Sequence, residues 1–351
     1  RRIREKLKKL GNCLDIVQVK DKIKVHIHTD YPEEVKSILI NAGQAQSMRV
    51  EDMAKEVVGE ESVRKVAIGI VTEDAIDLPK KVLERYQIET VPLVVDRSER
   101  EKFSTENICQ KMRETDKKGM KGLPGLSSPI SGSYSNAFEK QIDKFGKVLC
   151  ITLSSNISGS YDAARQAEKT ITKSGRVIIL DSLNASAGQS LLALRAIELI
   201  QEQREANEIL AEIKKLISKT FTYVSLEDPK WMESAKRITK GQANWIKRIK
   251  KLKFQPLMTI KKGKIVKEGI SYTKDAAEAL FKKISKETKN ARKKGLRIRV
   301  VISHADNPEG AESLRKMLKE IKAEVPFVVL SSPAACLNVG PGALIVAWQA
   351  L

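Results

Sequence analysis

Aromatic residues make up only 5% of this 351-residue chain, which also has just three histidines and four cysteines. So few aromatics leave no stacking surface of the kind that binders of single-stranded nucleic acid use. Cys13, Cys109, Cys150 and Cys336 are widely spaced with no Cys-x-x-Cys pair, and the expectation is reduced, mostly buried thiols. No segment approaches the roughly 18 to 20 uninterrupted apolar residues that a membrane span needs. The N-terminal "RRIREKLKKL" lacks the apolar core of a signal peptide, so the chain reads as soluble and cytoplasmic. Internal repeats, low-complexity tracts, a nucleotide-binding motif and a Gly-x-Ser-x-Gly elbow are absent as well.

What the chain has is positive charge: 64 Lys and Arg against 44 Asp and Glu, a formal +20. The excess is concentrated in "KRITKGQANWIKRIKKLKF" (236–254) and "KKISKETKNARKKGLRIR" (282–299), not in a tail. Ile246, Ile249 and Leu252 recur there at helical spacing. Two readings stay open for these helices: solvated lysine faces, or a docking surface for an anionic membrane or acidic partner. Nucleic acid is not expected as a partner.

The length suits two or three domains. Residues 1–58 read as an α/β unit of helix, "LDIVQV", "KIKVHIHT" and a second helix "PEEVKSILINAG", too small for a core of its own and expected to be the end of a larger domain. A polar joint, 51–66, follows. From Val66 strands alternate with helices up to about 221 ("KVAIGIVT", "IETVPLVV", "KVLCITL" and "RVIILD" as strands), the pattern of a parallel sheet covered on both faces. From Thr222 the expectation is helices, then two short strands around Lys262-Gly263-Lys264, then a second α/β lobe containing "IRVVISH" and "PFVVLSS". The chain ends on a Gly340-Pro341-Gly342 turn and an apolar segment.

Candidate chemistry gathers at strand ends, where open α/β sheets bind ligands. One loop holds Thr72, Glu73, Asp74 and Asp77; a second holds Ser154, Ser155, Ser158, Gly159 and Ser160; a third holds Asp181, Ser182, Asn184 and Ser186. "GLSSPISGS" adds Ser127 and Ser128. Each serine suits a helix cap, and together they suit a metal-free site for a carboxylate or phosphate. His304 ends a strand of the second lobe and would face the serine loops across a cleft. Paired with Ser158 it offers a serine-dependent acyl hydrolase or transferase as the rival reading, which the missing elbow disfavours. His26 and His28 alternate on one strand and are weak metal candidates without a third ligand; no cofactor is expected.

"IGIVTEDAIDLPKKVLERYQIETVPLVV", "PGLSSPISGSYSNAF", "ITLSSNISGSYDAA", "VIILDSLNASAGQ", "KRI", "VVISHADNPEGAE" and "GPGA" resemble, in order and spacing, the DegV family of fatty-acid-binding proteins, also called FakB. The N-terminal "LGNCLDIV", "KVHIHTDYPEEV" and "MRVEDM" are similar to the end of the middle domain of fatty acid kinase, whose kinase component is dihydroxyacetone kinase-like. The resemblance implies an α/β, two-lobed DegV-like fold, with a first lobe at 65–221 built on a parallel sheet and an α/β second lobe at 222–351. It also implies a non-enzymatic carrier that holds one long-chain fatty acid between the lobes. The carrier would present the carboxyl group to a fatty acid kinase domain, in cis or in trans, for acyl-phosphate formation and phospholipid synthesis. Carried over by position, Ser127, Ser158, Gly159, Ser160 and His304 would meet the head group, with Arg237 as the arginine of the Gly-Arg-Ile segment. Glu73-Asp74 stand where the family has Asp-Ser, Leu126 where it has threonine and Asn338 where it has histidine; the family's other arginine is missing near Tyr272. Two carboxylates at 73 and 74 would oppose a second negative charge nearby. The family's zinc-binding cysteine would precede Arg1, which leaves His26 and His28 short of a partner.

Overall fold

The computed structural model describes residues 2–7, 10–19, 22–29, 32–41, 68–93, 105–117, 129–172 and 174–351. The chain forms two compact units, Arg1–Glu56 and Val57–Leu351.

In the first unit, helix α1 (Arg2–Leu7) precedes the antiparallel pair β1 (Gly11–Val19) and β2 (Lys22–Thr29), and α2 (Pro32–Ile40) follows. β1 begins three residues earlier than the apolar run "LDIVQV" indicates, through a register irregularity between Asn12 and Asp15. His26 and His28 fall on β2 opposite Asp15 and Asn12. Their side chains, like that of Cys13, lie outside the described residues. The buried Leu7 and Val35 bring α1 and α2 together.

The second unit stacks helices and sheets in alternate layers. Its first sheet is parallel throughout, in the order β4 (Glu89–Val91), β3 (Ile68–Glu73), β5 (Lys147–Thr152), β6 (Val177–Asp181). The short α3 (Lys80–Arg85) links β3 to β4, and α4 (Thr105–Lys117) lies between β4 and β5. α5 (Ser131–Phe145) and α6 (Ser160–Thr170) cover one face, where Val148 and Cys150 of β5 meet Tyr134, Phe138, Ala164 and Ala167. Leu149 and Ile151, pointing the other way, pack against α7 (Ala187–Gln201). Strict two-sided burial explains why "VLCIT" carries no polar residue before Thr152.

α7, "AGQSLLALRAIELIQ", is buried at 12 of its 15 positions and sits between the two sheets. A helix apolar on all sides has no solvated face and must lie in an interior. α8 (Ala206–Ile217), opened by a Glu205/Glu208 capping box, packs beside it.

The second sheet has six strands in the order β11 (Val328–Leu330), β10 (Ile298–His304), β12 (Leu344–Ala350), β7 (Phe221–Ser225), β8 (Gln255–Lys261), β9 (Lys264–Ser271). Only β10 and β11 pair in parallel; the other neighbours are antiparallel. β7 is a difference from the sequence reading, which has helices from Thr222. Its "FTYVS" alternates Tyr223 to the outer cluster and Val224 to the central one, a strand pattern too short to stand out beside the helical run that follows. α9 (Lys230–Ser234) and α10 (Lys240–Lys251) connect β7 to β8. α11 (Ala276–Lys293) and α12 (Pro308–Glu320) cover the outer face with Leu280, Ile284, Leu314 and Leu318, and α13 (Pro333–Val339) leads to the Gly340–Gly342 turn, whose glycines both have φ +82°. No described helix is long and apolar enough to cross a membrane.

The two sheets are also joined through the β8–β9 hairpin. Its two-residue turn has φ +48° at Lys262 and +76° at Gly263, the hand that hairpins favour. Ser154 Oγ donates to Gly263 O (2.8 Å) and Asn156 Nδ2 to Lys262 O (3.2 Å), so the tip rests on the loop after β5. A Cβ at 263 would collide with Ser154 Oγ. Gly263→Ala is therefore expected to lower unfolding stability by about 1–2 kcal/mol, through the positive φ and the lost contact, as read from urea midpoints.

Candidate functional site

The order of the parallel sheet puts its switch point between β3 and β5, where the following connections leave toward opposite edges. Loops after such strands diverge and open a crevice. After β3 come Glu73 to Asp77, and after β5 comes "LSSNISGS".

The serine loop is held from below. Ser154 N donates to Asn184 O (2.8 Å), and Ser155 N and Leu183 N both donate to Asp181 Oδ1 (3.2 and 2.9 Å). Ser158 N returns to Ser154 O (2.9 Å), closing a turn that delivers the chain to α6. Gly159 is the cap residue, and Ser158 Oγ receives Ser160 N (3.3 Å) and lies 2.8 Å from Ser160 Oγ. Ser160 is fully buried, whereas Ser158 faces the space between the sheets.

Glu73 and Asp74 do not confront that space as the sequence suggests. Glu73 is fully buried and does not line the pocket. Tyr134 Oη donates to its Oε1 (2.8 Å), Leu153 N to both oxygens (3.1 Å each) and Gln189 Nε2 to Oε2 (2.9 Å). Burial without a cation pushes its pKa up against these donors. Asp74 Oδ1 accepts from Leu93 N (3.0 Å).

Asp77 is a second buried carboxylate, and it spans the two sheets. It accepts from Ser186 Oγ at the start of α7, from Ser331 Oγ (3.2 Å) and from Ser332 N (3.0 Å) at the start of α13. Ser303 of β10 bonds it too and lies 3.2 Å from Ser186 Oγ. Burial again raises the pKa. Ser186 is kept at φ +52°, a conformation serine rarely adopts, while serving this carboxylate.

Between the sheets lies a pocket holding about 790 Å³ of space not filled by protein atoms, within the size range of small-molecule sites. Leu93, Leu153, Ile157 and Ala185 line it from one side; Val224, Met232, Ile260, Ile265, Val339 and Ile345 from the other. Its polar lining is Ser158, Ser186, Thr222, Arg237 and Asn338. Ser186 is bound to Asp77, and Thr222 Oγ1 donates to Asn184 Oδ1 (2.9 Å). Arg237 stands apart: its Nε is buried with no hydrogen-bond partner, and burial lowers the guanidinium pKa from its ordinary value. Asn338 Nδ2 donates to Ala334 O (2.8 Å), and its buried Oδ1 has no partner.

Of the six residues singled out by sequence as head-group contacts, Ser158 and Arg237 line one pocket, with Gly159 and Ser160 directly behind Ser158. His304 does not line it. The ring is nearly buried at the end of β10, and its Nδ1 accepts from Asn307 N (3.2 Å), a bond that requires neutral Nδ1. Burial lowers its pKa, opposed by Asp306 and Asp77. Ser127, with Ser128 and Leu126, lies outside the described residues. The sequence reading missed Ser303, Ser331 and Ser332 as Asp77 partners and Tyr134 and Gln189 as Glu73 partners. Among these, only the Ser331-Ser332 pair before a proline carried a local signal, that of a helix start. Among the described residues no group of three His, Cys, Asp or Glu side chains is placed to hold a metal ion.

The folded protein binds the Glu73 proton more tightly than the unfolded chain does. This contribution is complete below about pH 4 and is lost as pH rises through the raised native value, and Asp77 acts with the same sign. Glu73→Gln, a mimic of the protonated acid, is expected to flatten the fall in stability between about pH 4 and about pH 8. Urea midpoints across that range check it, and a slope equal to the parent's would refute the assignment.

Comparison with known proteins places this geometry. The profile described as "Uncharacterised protein, DegV family" matches residues 67–351, and the FakA-like profile, which describes the middle domain of fatty acid kinase, matches residues 1–59. A DegV domain-containing protein of Staphylococcus aureus (strain N315) is 27% identical over 282 residues, 79% of this chain and 95% of the relative. Protein DegV of Bacillus subtilis is 28% identical over 288 residues, covering 80% and 98%. Among solved structures, a DegV lipid-binding protein from Thermotoga maritima superposes with TM-score 0.67 at 25% identity, covering 81% of this chain and 98% of its own. A DegV family protein from Thermus thermophilus, described for its fatty acid binding, gives TM-score 0.69 at 24% identity, covering 81% and 100%. With two helix-covered sheets, a crevice at the switch point and a profile match across most of its length, the chain belongs to the DegV family.

Proposed function

We propose that residues 67–351 hold one long-chain fatty acid in the pocket between the sheets, with its carboxylate toward Arg237 and Ser158. The observation that carries this reading is Arg237, a guanidinium with a buried, unpartnered Nε in an otherwise apolar lining. A buried cation without a counterion is costly, and an anionic ligand offsets that cost. The apolar walls suit an acyl tail: sixteen carbons would contribute on the order of 10 kcal/mol before entropy losses, at about 0.8 kcal/mol per methylene. Ser158 adds a hydroxyl, and the turn through Gly159 and Ser160 adds the amides of a helix start. Glu73, satisfied by its own donors and facing away, does not oppose the anion. Fatty-acid binding in the Thermus relative and lipid binding in the Thermotoga relative support the same ligand class.

The chain acts in this reading as a non-catalytic carrier presenting the carboxyl group to a fatty acid kinase domain, and the kinase-like residues 1–59 are what supports that partner. Three parts follow: 1–58 kinase-related, 65–221 and 222–351 the two lobes. The lysine-rich α10 and α11 supply an anionic membrane with a surface to meet. No observation favours a Ser158–His304 hydrolase, since Ser158 Oγ is engaged with Ser160 and His304 Nδ1 with a backbone amide where a triad would have a carboxylate.

Mass spectrometry of an organic extract of the purified chain is expected to find one long-chain fatty acid. Protein that neither carries nor takes up an acyl chain would sink the proposal. Arg237→Ala should weaken binding of a long-chain acid by about tenfold to a hundredfold, the worth of a hydrogen bond to a charged group, and leave the matching alcohol unaffected. Equal loss for acid and alcohol would remove Arg237 from the head-group role.

A further inference from the structure

By sequence α4 belongs to the first lobe, yet its long-range polar partners lie in the second. Arg113 pairs with Asp306 (3.1 Å) and Glu227 (3.4 Å), and Asp116 pairs with Lys230 (2.5 Å). On its buried face, one turn before Arg113, the Cys109 thiol hydrogen-bonds the thiol of Cys336 on α13. Both are buried in the central cluster, and Cys336 Sγ also donates to Ser331 O (3.3 Å).

α13 has two other tasks. Ser332 caps it and holds Asp77, while Ala335, Asn338 and Val339 form part of the pocket wall. Cys336 therefore sits between the Asp77 junction and that wall. In the reduced protein α4 is held here by noncovalent packing and by ion pairs exposed to solvent, which hold weakly.

We propose that Cys109 and Cys336 form a redox-closed clasp: a peroxide converts the thiol pair to a disulfide that fixes α4 to the α13 wall and slows exchange of the bound fatty acid. The clasp's effect on exchange rests on the fatty-acid reading of the pocket. The chemistry has two steps. The Cys109 thiolate attacks hydrogen peroxide, an S–O bond forms as O–O breaks, and the released hydroxide takes up the thiol proton as water. Cys336 sulfur then attacks the sulfenic sulfur, S–S forms as S–O breaks, and the hydroxyl leaves with the Cys336 proton as a second water. The two thiols lose two electrons and the peroxide gains them.

The surroundings suit this order of attack. The hydrogen bond from Cys336 draws the Cys109 thiol below its usual range, outweighing burial and the Asp306 charge, with Arg113 assisting. The same partnership and burial push Cys336 well up, which makes it the resolving thiol. Cys150 is a built-in contrast: burial and the nearby Glu73 keep its thiol protonated inside β5.

The test treats the full chain with hydrogen peroxide, blocks remaining thiols with a maleimide under denaturing conditions, and maps the peptides by mass spectrometry. Release of deuterated palmitate is timed on oxidised and dithiothreitol-reduced samples in parallel. The expected result is a Cys109–Cys336 linkage with Cys150 blocked by maleimide, and release about tenfold slower after oxidation. Dithiothreitol should reverse the slowing, and Cys109→Ser and Cys336→Ser should each abolish it. Palmitate binding without that linkage overturns the thiol assignment and leaves the fatty-acid reading standing. Linkage with unchanged release overturns the clasp. Failure of the reduced protein to bind palmitate overturns the fatty-acid reading and the clasp's effect with it, while the linkage is still read from the peptides.

Discussion

The carboxylate of Asp77 is the constraint from which the rest of the site follows. It is buried, and it accepts hydrogen bonds from the start of α7, the end of β10 and the start of α13. Donors from both sheets converge on one pair of oxygens, so the sheets cannot shift relative to each other there without leaving polar groups unmade in the interior. That cost outweighs the strain of Ser186 at positive φ, which persists because its neighbours over-determine it. The pocket opens beside this junction, and Ser186 belongs to both.

α7 provides the second part of the frame. Its all-round apolar surface fills the space between the sheets along most of their length. Beyond its N-terminus, small residues such as Ala185 leave room for a cleft, which the hairpin tip at Gly263 closes on one side by leaning on the serine loop. The cleft is mostly hydrocarbon with a single cation. In a medium of low polarity one unpaired charge outweighs several satisfied hydroxyls in selecting a ligand, because Ser186 and Thr222 already have partners and Arg237 Nε has none.

Much of this could be read along the chain. "KVLCITL" announced a strand buried on both faces, Lys262-Gly263 a tight hairpin, and the serine loops the edge where a ligand site forms, since each signal is local and depends on spacing of a few residues. Other features depend on long-range placement and left no local trace. "FTYVS" became a strand because β8 and β12 lie on either side of it. Glu73 reads as a solvent-facing acid at a loop start and is instead enclosed by Tyr134, Gln189 and Leu153 N. His304, expected opposite the serines, turns to the Asn307 amide. The docking of α4 on α13 joins residues more than two hundred positions apart, a contact no spacing rule reports.

The sequence by itself determined the alternation of buried strands and amphipathic helices, the turn chemistry and the gathering of serines at strand ends, because periodicity and backbone preference act over a few residues. Tertiary structure alone decided which of those residues share a pocket, which carboxylates lie buried and protonate readily, and that one arginine reaches the cleft with its Nε unpaired. Burial and desolvation are properties of the assembled layers, and no residue carries them alone.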